Sequence, residues 1–183
     1  MSDVQQVLER IHPLSGRVFA GAGVAITLAP SAFRLILRCG SKELKVVGDA
    51  LGLELPRQPN HSAMVGNRFA LWLGPDEWLV ADPKVNPISA LSDIDVAHSA
   101  VDISYRNTAV LVSGPSSAAV INAGCPRDLS AAAFPVGYCA RTVFGKVEIV
   151  LFHVRDKVYR IEVWRSFSDY LFTHLETAAR AMD

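Results

Sequence analysis

Residues 70–81, ALWLGPDEWLVA, decide the fold class. Two apolar runs, read as strands over 68–73 and 77–81, flank Gly74-Pro75-Asp76. Proline pre-sets the φ angle that such a turn needs, so the stretch is a hairpin. A hairpin requires no crossover, which makes the sheet antiparallel at this point. Trp72 and Trp78 stand on either side of the turn, where they serve either a packed corner or a partner surface.

The pattern extends in both directions. Upstream, residues 33–38 (FRLILR) alternate, with Phe33, Leu35 and Leu37 on one side and Arg34, Ile36 and Arg38 on the other. That is the period of a strand covered on at least one face. Residues 41–51 predict a helix capped by Ser41, with Leu44, Val47 and Leu51 on one face and Gly52 beyond its end. Downstream, 82–99 reads as a connection with one helical turn. The same order then returns. A strand over 108–113 precedes a helix opened by Pro115 and ended by Gly124. A short strand over 141–144 leads into a hairpin of 146–152 and 158–164. A final helix from about Ser166, with Asp169 as its capping acid, buries Leu171, Leu175, Ala178 and Met182.

These elements predict an α+β fold of two similar strand–helix–strand-pair halves, with antiparallel-rich mixed sheets and packed helices. An N-terminal helix and loop extension is expected over 1–30, and the α+β domain over 31–183, with halves 31–99 and 100–183. Within the extension, Val4, Val7, Leu8 and Ile11 predict an amphipathic helix ending at His12-Pro13, and a short strand is expected near 24–28.

Charge and composition exclude several functions. Lysine plus arginine number 18 and aspartate plus glutamate 18, so the formal net charge is zero. A nucleic-acid binder carries a basic excess to neutralise phosphates, and none exists here. No apolar run reaches the roughly 18–20 residues of a spanning helix, and the acidic N-terminus is no secretory signal. Cys39, Cys125 and Cys139 are odd in number and widely spaced, which predicts reduced thiols and a cytoplasmic address.

Catalytic patterns are largely missing. Gly21-Ala22-Gly23 lacks the third glycine of a dinucleotide loop, since Ile26 stands there. Asp93, Asp95, His98 and Asp102 resemble a metal cluster only in composition, and local hydrogen bonds from Asp102 ahead of Ser104 explain that aspartate as well. His61, His153 and Arg155 are expected on exposed loops or a hairpin tip. Glu148 alternates outward between Val147 and Ile149, as a surface partner for Lys146 or as a general base. The corner Trp164, Arg165, Phe167 and Tyr170 joins a strand to a helix. Aromatics and arginine are enriched at the centres of interfaces, so these residues, with Trp72 and Trp78, form the candidate interface.

Taken in order, ALWLGPDEWLVA, VDISYRNTAVLVSGP (101–115), AGCPRDL (123–129), FPVGYCARTVFGKVEIVL (134–151) and EVWRSFSDYL (162–171) resemble the sarcosine oxidase gamma subunit family. The resemblance implies a fold like the folate-binding domain of the glycine-cleavage T-protein. It also implies partnership with alpha, beta and delta subunits in a heterotetramer that oxidatively demethylates sarcosine to glycine, with tetrahydrofolate and oxygen as co-substrates. FAD, FMN, NAD and the tetrahydrofolate site would lie on the alpha and beta subunits and zinc on delta, leaving this chain without cofactor, metal or catalytic residue. The T-protein's D-V-S-H segment is matched by Asp102-Ile103-Ser104-Tyr105, with tyrosine in place of histidine. Its acidic pair, one member of which is the catalytic aspartate, is matched by Lys146-Val147-Glu148-Ile149, which holds one acid. The T-protein's catalytic role therefore does not carry over. Two other readings remain: an aminomethyl-transfer module using Glu148 or Asp102, and a stand-alone small-molecule sensor.

Overall fold

A computed structural model describes residues 12–182; the helix expected over 4–11 lies outside them. Strands β1 (Val18–Ala20), β2 (Ala25–Leu28) and β3 (Phe33–Cys39) precede helix α1 (Leu44–Leu51). Strands β4 (Ser62–Val65), β5 (Arg68–Gly74), β6 (Glu77–Asp82), β7 (His98–Asp102) and β8 (Asn107–Ser113) lead to α2 (Ser117–Asn122). The chain closes with β9 (Cys139–Phe144), β10 (Val147–Arg155), β11 (Val158–Trp164) and α3 (Ser168–Arg180).

The strands form a six-stranded sheet in the order β1-β2-β8-β11-β10-β9 and a five-stranded sheet in the order β4-β5-β6-β3-β7. Every pairing among these strands is antiparallel. The parallel neighbours expected of strand–helix units do not occur, because the chain leaving β8 through α2 re-enters at the far edge of its sheet. It then winds back as the meander β9-β10-β11. The segment expected as an extension contributes β1 and β2, and β2 pairs with β8 from Ala25↔Ser113 to Leu28↔Val110. β7 begins at the end of the connection expected over 82–99 and pairs with β3 along Leu35↔Asp102 to Cys39↔His98.

The alternation along each strand sets the layers. One face of the six-stranded sheet packs Val110, Val112, Ile149, Leu151, Ile161 and Val163 against Leu171, Phe172 and Leu175 of α3 and Val120 and Ile121 of α2. The opposite face presents Val150 and Phe152 to Phe69, Leu71, Leu79 and Ala81 of the five-stranded sheet. The far side of that second sheet buries Leu35, Leu37, Trp78 and Val80 beneath Leu44, Val47 and Leu51 of α1. Both sheets are therefore covered on both faces. FRLILR is consequently buried on two sides, Leu35 and Leu37 under α1 and Arg34 and Ile36 toward the other sheet.

Several local expectations shift by a few residues. α1 begins at Leu44 without a side-chain cap from Ser41, while Gly52 ends it in the left-handed region at φ 61°. Pro115 lies before α2, whose cap position is Ser116. α3 follows a tight turn at Arg165–Phe167 and buries Ala179, whereas Met182 is exposed. Asp169 pairs with Arg17 and makes no cap. The β10–β11 turn tightens to Asp156-Lys157, with Lys157 at φ 55°, and this draws His153 into the strand. His153 is buried, its Nδ1 lies 2.8 Å from the Phe134 carbonyl and its ring stacks on Tyr159 at 4.3 Å.

Gly114, at φ +118°, makes the corner from β8 into α2; an added Cβ would lie 2.5 Å from the Gly23 carbonyl oxygen. Backbone cannot yield as a side-chain tip can. Gly114→Ala is expected to lower stability by about 2–3 kcal/mol, read as a fall in Tm of about 5–10 °C.

Asp82 ends β6 and organises the following turn. It accepts hydrogen bonds from the N–H groups of Lys84 (2.7 Å) and Val85 (3.0 Å) and from Arg68 Nε (2.8 Å). Burial acts to raise its carboxyl pKa, but these donors and the Arg68 charge outweigh it and hold the group below the ordinary carboxylate range. A depressed folded-state pKa gives stability that is complete above the unfolded value and lost as pH falls through the folded one. Asp82→Asn should therefore cost about 1–2 kcal/mol at pH 7, and the gap from the parent should close below about pH 3 in denaturant titrations.

Candidate functional site

β11 ends at Trp164, and the chain turns sharply through Arg165 and Phe167 before α3 begins. The turn leaves two aromatic rings on the surface. Trp164 is 41% and Phe167 42% exposed, and their rings stack with centroids 6.0 Å apart. The Arg106 guanidinium lies 5.1 Å from the Trp164 ring centroid, and the Arg165 N–H donates to the Arg106 carbonyl at 2.7 Å. These contacts bind the corner to the loop between β7 and β8, where Tyr105 is 73% exposed. Large aromatics held rigid beside cations lose little entropy on docking, which suits them as interface anchors.

Tyr170 stands one turn further along α3, half-buried, with its ring stacked on His174 at 4.0 Å. Its hydroxyl lies 2.7 Å from where a Cβ on Gly145 would sit, so the β9–β10 turn packs on α3. Trp164, Arg165, Phe167 and Tyr170 thus share one corner of the molecule. Trp72 and Trp78 do not. Trp78 is 1% exposed and its Nε1 donates to the Pro56 carbonyl at 2.8 Å, so it is core and cannot meet a partner. Trp72 is half-buried between the two sides of its sheet. Tyr105 and Arg106 were not anticipated; a loop before a strand carries no sequence signal of what it will face.

The candidate acids lack the setting of a catalytic site. Asp102 accepts from the Ser104 N–H at 2.8 Å and from Asn86 Nδ2 at 3.1 Å. The Ser104 hydroxyl and N–H, with Asn86, hold its carboxyl below the ordinary range, which makes it a poor proton acceptor near neutrality. Glu148 is exposed on β10, and no ion pair joins it to Lys146 among the described residues. The cavity that Glu148 lines with Arg106, Arg141 and Trp164 holds about 30 Å³. That is room for a water, far below the few hundred cubic ångströms of a ligand site. No metal-binding group of three or more His, Cys, Asp or Glu occurs among the described residues. Cys39, Cys125 and Cys139 are buried free thiols, and burial pushes Cys139 up to about 12.

A charged group lies where apolar packing would be expected, between the sheets. Glu162 of β11 is 1% exposed; its Oε2 accepts from Arg34 Nε and its Oε1 from Arg160 Nε, both at 2.7 Å. Arg34 Nη1 also donates to the Ala32 carbonyl at 2.9 Å, and Arg160 lies 5.3 Å from the Phe69 ring centroid. One carboxylate thus serves two buried guanidiniums, and Arg160 Nη2 has no hydrogen-bond partner among the described residues. Nothing in the sequence pattern points to this cluster, because Arg34 falls on the apparently polar side of FRLILR.

The family model described as sarcosine oxidase, gamma subunit family, matches residues 39–181. The chain belongs to this family. A curated member, the sarcosine oxidase subunit gamma of Corynebacterium sp. strain U-96, is 30% identical over 156 residues, covering 80% of this chain and 75% of that protein. The strain P-1 member is 28% identical over 137 residues, and the match spans 66% of its length. Among solved structures, a chain of the heterotetrameric sarcosine oxidase from Corynebacterium sp. U-96 in complex with pyrrole 2-carboxylate superposes with a TM-score of 0.81 at 25% identity. That match covers 90% of this chain and 88% of the other. The glycine cleavage system aminomethyltransferase T from Bartonella henselae gives a TM-score of 0.61 at 11% identity, over 45% of its length. This second likeness is one of fold, and the expected T-protein-like architecture is present.

Proposed function

We propose that this chain is a non-catalytic assembly subunit of a heterotetrameric sarcosine oxidase, docking on larger subunits through the Trp164–Phe167 corner. The observation that carries the reading is the likeness, over 90% of the chain, to a chain of a heterotetrameric sarcosine oxidase. The exposed stacked aromatics and their two arginines supply a surface of the required chemistry. The small cavity at Glu148 and the hydrogen-bonded state of Asp102 favour this reading over aminomethyl transfer. On this reading the partners are the alpha, beta and delta subunits in the cytoplasm. They carry FAD, FMN, NAD, zinc and the tetrahydrofolate site, and the assembly demethylates sarcosine oxidatively to glycine.

Co-expression of the other three subunits with and without this chain tests the proposal. The assembly lacking it is expected to be recovered in much lower yield or to lose sarcosine-dependent peroxide formation. Full yield and activity without the chain would rule out an assembly role.

A further inference from the structure

A cavity of about 670 Å³ opens beside the buried charge cluster, at the end of the inter-sheet layer opposite Glu148. Its walls come from both sheets. Phe69, Phe152, Leu111 and Met64 make the apolar surface, and Phe152 and Leu111 are the cross-strand neighbours of Arg160. The charged lining residues are Arg160, 8% exposed at the inner end, and Lys84 and Arg155, exposed at the mouth.

Among the described residues, no aspartate or glutamate lines this space. The neighbouring acids are engaged elsewhere: Glu162 by Arg34 and Arg160, Asp82 by Arg68 and its own turn, and Asp156 beside Lys157 in solvent. The buried cluster therefore carries one net positive charge, and the mouth adds two more cations. A buried guanidinium without a full set of acceptors is costly, and an anion reaching it through a low-dielectric wall is attracted more strongly than in water. The volume falls within the range of small-molecule sites, which combine apolar walls with a few placed polar groups. The Phe69 and Phe152 rings pack on each other, centroids 5.6 Å apart and tilted by 35°, and form one aromatic wall against which a flat apolar body can lie.

We propose that this inter-sheet cavity binds a small organic anion with a flat apolar body, its anionic group facing Arg160 and its body against Phe69, Phe152 and Leu111. Lys84 and Arg155 draw the anion to the mouth. The site is independent of the docking corner, and it needs neither Glu148 nor Asp102.

Calorimetric titration of the full chain with 2-naphthoate, and with the neutral 2-naphthalenemethanol of like shape, tests the site. One equivalent of naphthoate is expected to bind at least tenfold more tightly than the alcohol. Arg160→Met should weaken naphthoate binding tenfold or more and leave the alcohol unaffected. Should Arg160→Met fail to fold, the surface double variant Lys84→Ala/Arg155→Ala still decides, with an expected loss of threefold or more. Equal binding of acid and alcohol, no binding of naphthoate, or naphthoate affinity unchanged in a folded variant would each overturn the proposal.

Discussion

Glu162→Ala is expected to cost about 3–5 kcal/mol, the largest effect of any single substitution considered for this fold. The carboxylate is 1% exposed and is the shared acceptor of Arg34 and Arg160 at 2.7 Å. Its removal leaves two guanidiniums facing one another between the sheets with no counter-charge. Each must then rotate outward, opening the layer around Phe69 and Phe152, or remain desolvated and unpaired. For a domain of this size the loss corresponds to a fall in Tm of about 10 °C or more, measured by thermal or denaturant unfolding. Replacing Glu162 and both arginines together by apolar residues of similar volume should recover most of the loss, because the cost lies in orphaned charge and not in lost attraction. A Glu162→Ala protein within about 1 kcal/mol of the parent would show that the cluster is solvated in solution.

Trp164→Ala/Phe167→Ala is expected to act on assembly and to leave the chain folded. Both rings are about two-fifths exposed, so truncation removes little core packing. Against a partner the same rings would be covered, and central aromatic anchors contribute about 2 kcal/mol or more each. The pair should weaken docking by on the order of a hundredfold or more. Co-elution with the larger subunits in size-exclusion chromatography reads the effect, while circular dichroism and Tm of the free chain stay near parental values. A variant that co-elutes as the parent does would move the docking surface elsewhere.

The contrast between Trp164 and Trp78 shows how far the sequence could be read. Both are tryptophans beside a hairpin, and both satisfied the residue-type argument for an interface. What separates them is layering: the five-stranded sheet receives α1 on its outer side and buries Trp78, while no described element covers the Trp164 and Phe167 rings of the turn after β11. Turn chemistry is local, so the hairpins around Gly74-Pro75-Asp76 and Lys157 were legible. The 3.6-residue stripe of α3 was legible for the same reason. Strand β1 was obscured by glycine and alanine, whereas the strand expected near 24–28 is β2, and the pair holds because β8 offers an edge. The Arg34–Glu162 pair joins residues 128 positions apart, and alternation within one strand cannot reveal what the facing sheet will bring. His153 was misplaced because a two-residue turn extended β10 by three residues past Phe152.

The reading rests on the chain contributing surface and no chemistry. Asp102→Asn/Glu148→Gln alters the two acids that a transfer mechanism would need, while asparagine at 102 can still accept from Ser104. The most direct measurement is the rate of sarcosine-dependent peroxide and glycine formation per assembled enzyme carrying this double variant. The account predicts kcat and KM within about twofold of the parent. A fall of about a hundredfold in kcat, with assembly intact, would contradict it and place a catalytic group on this chain.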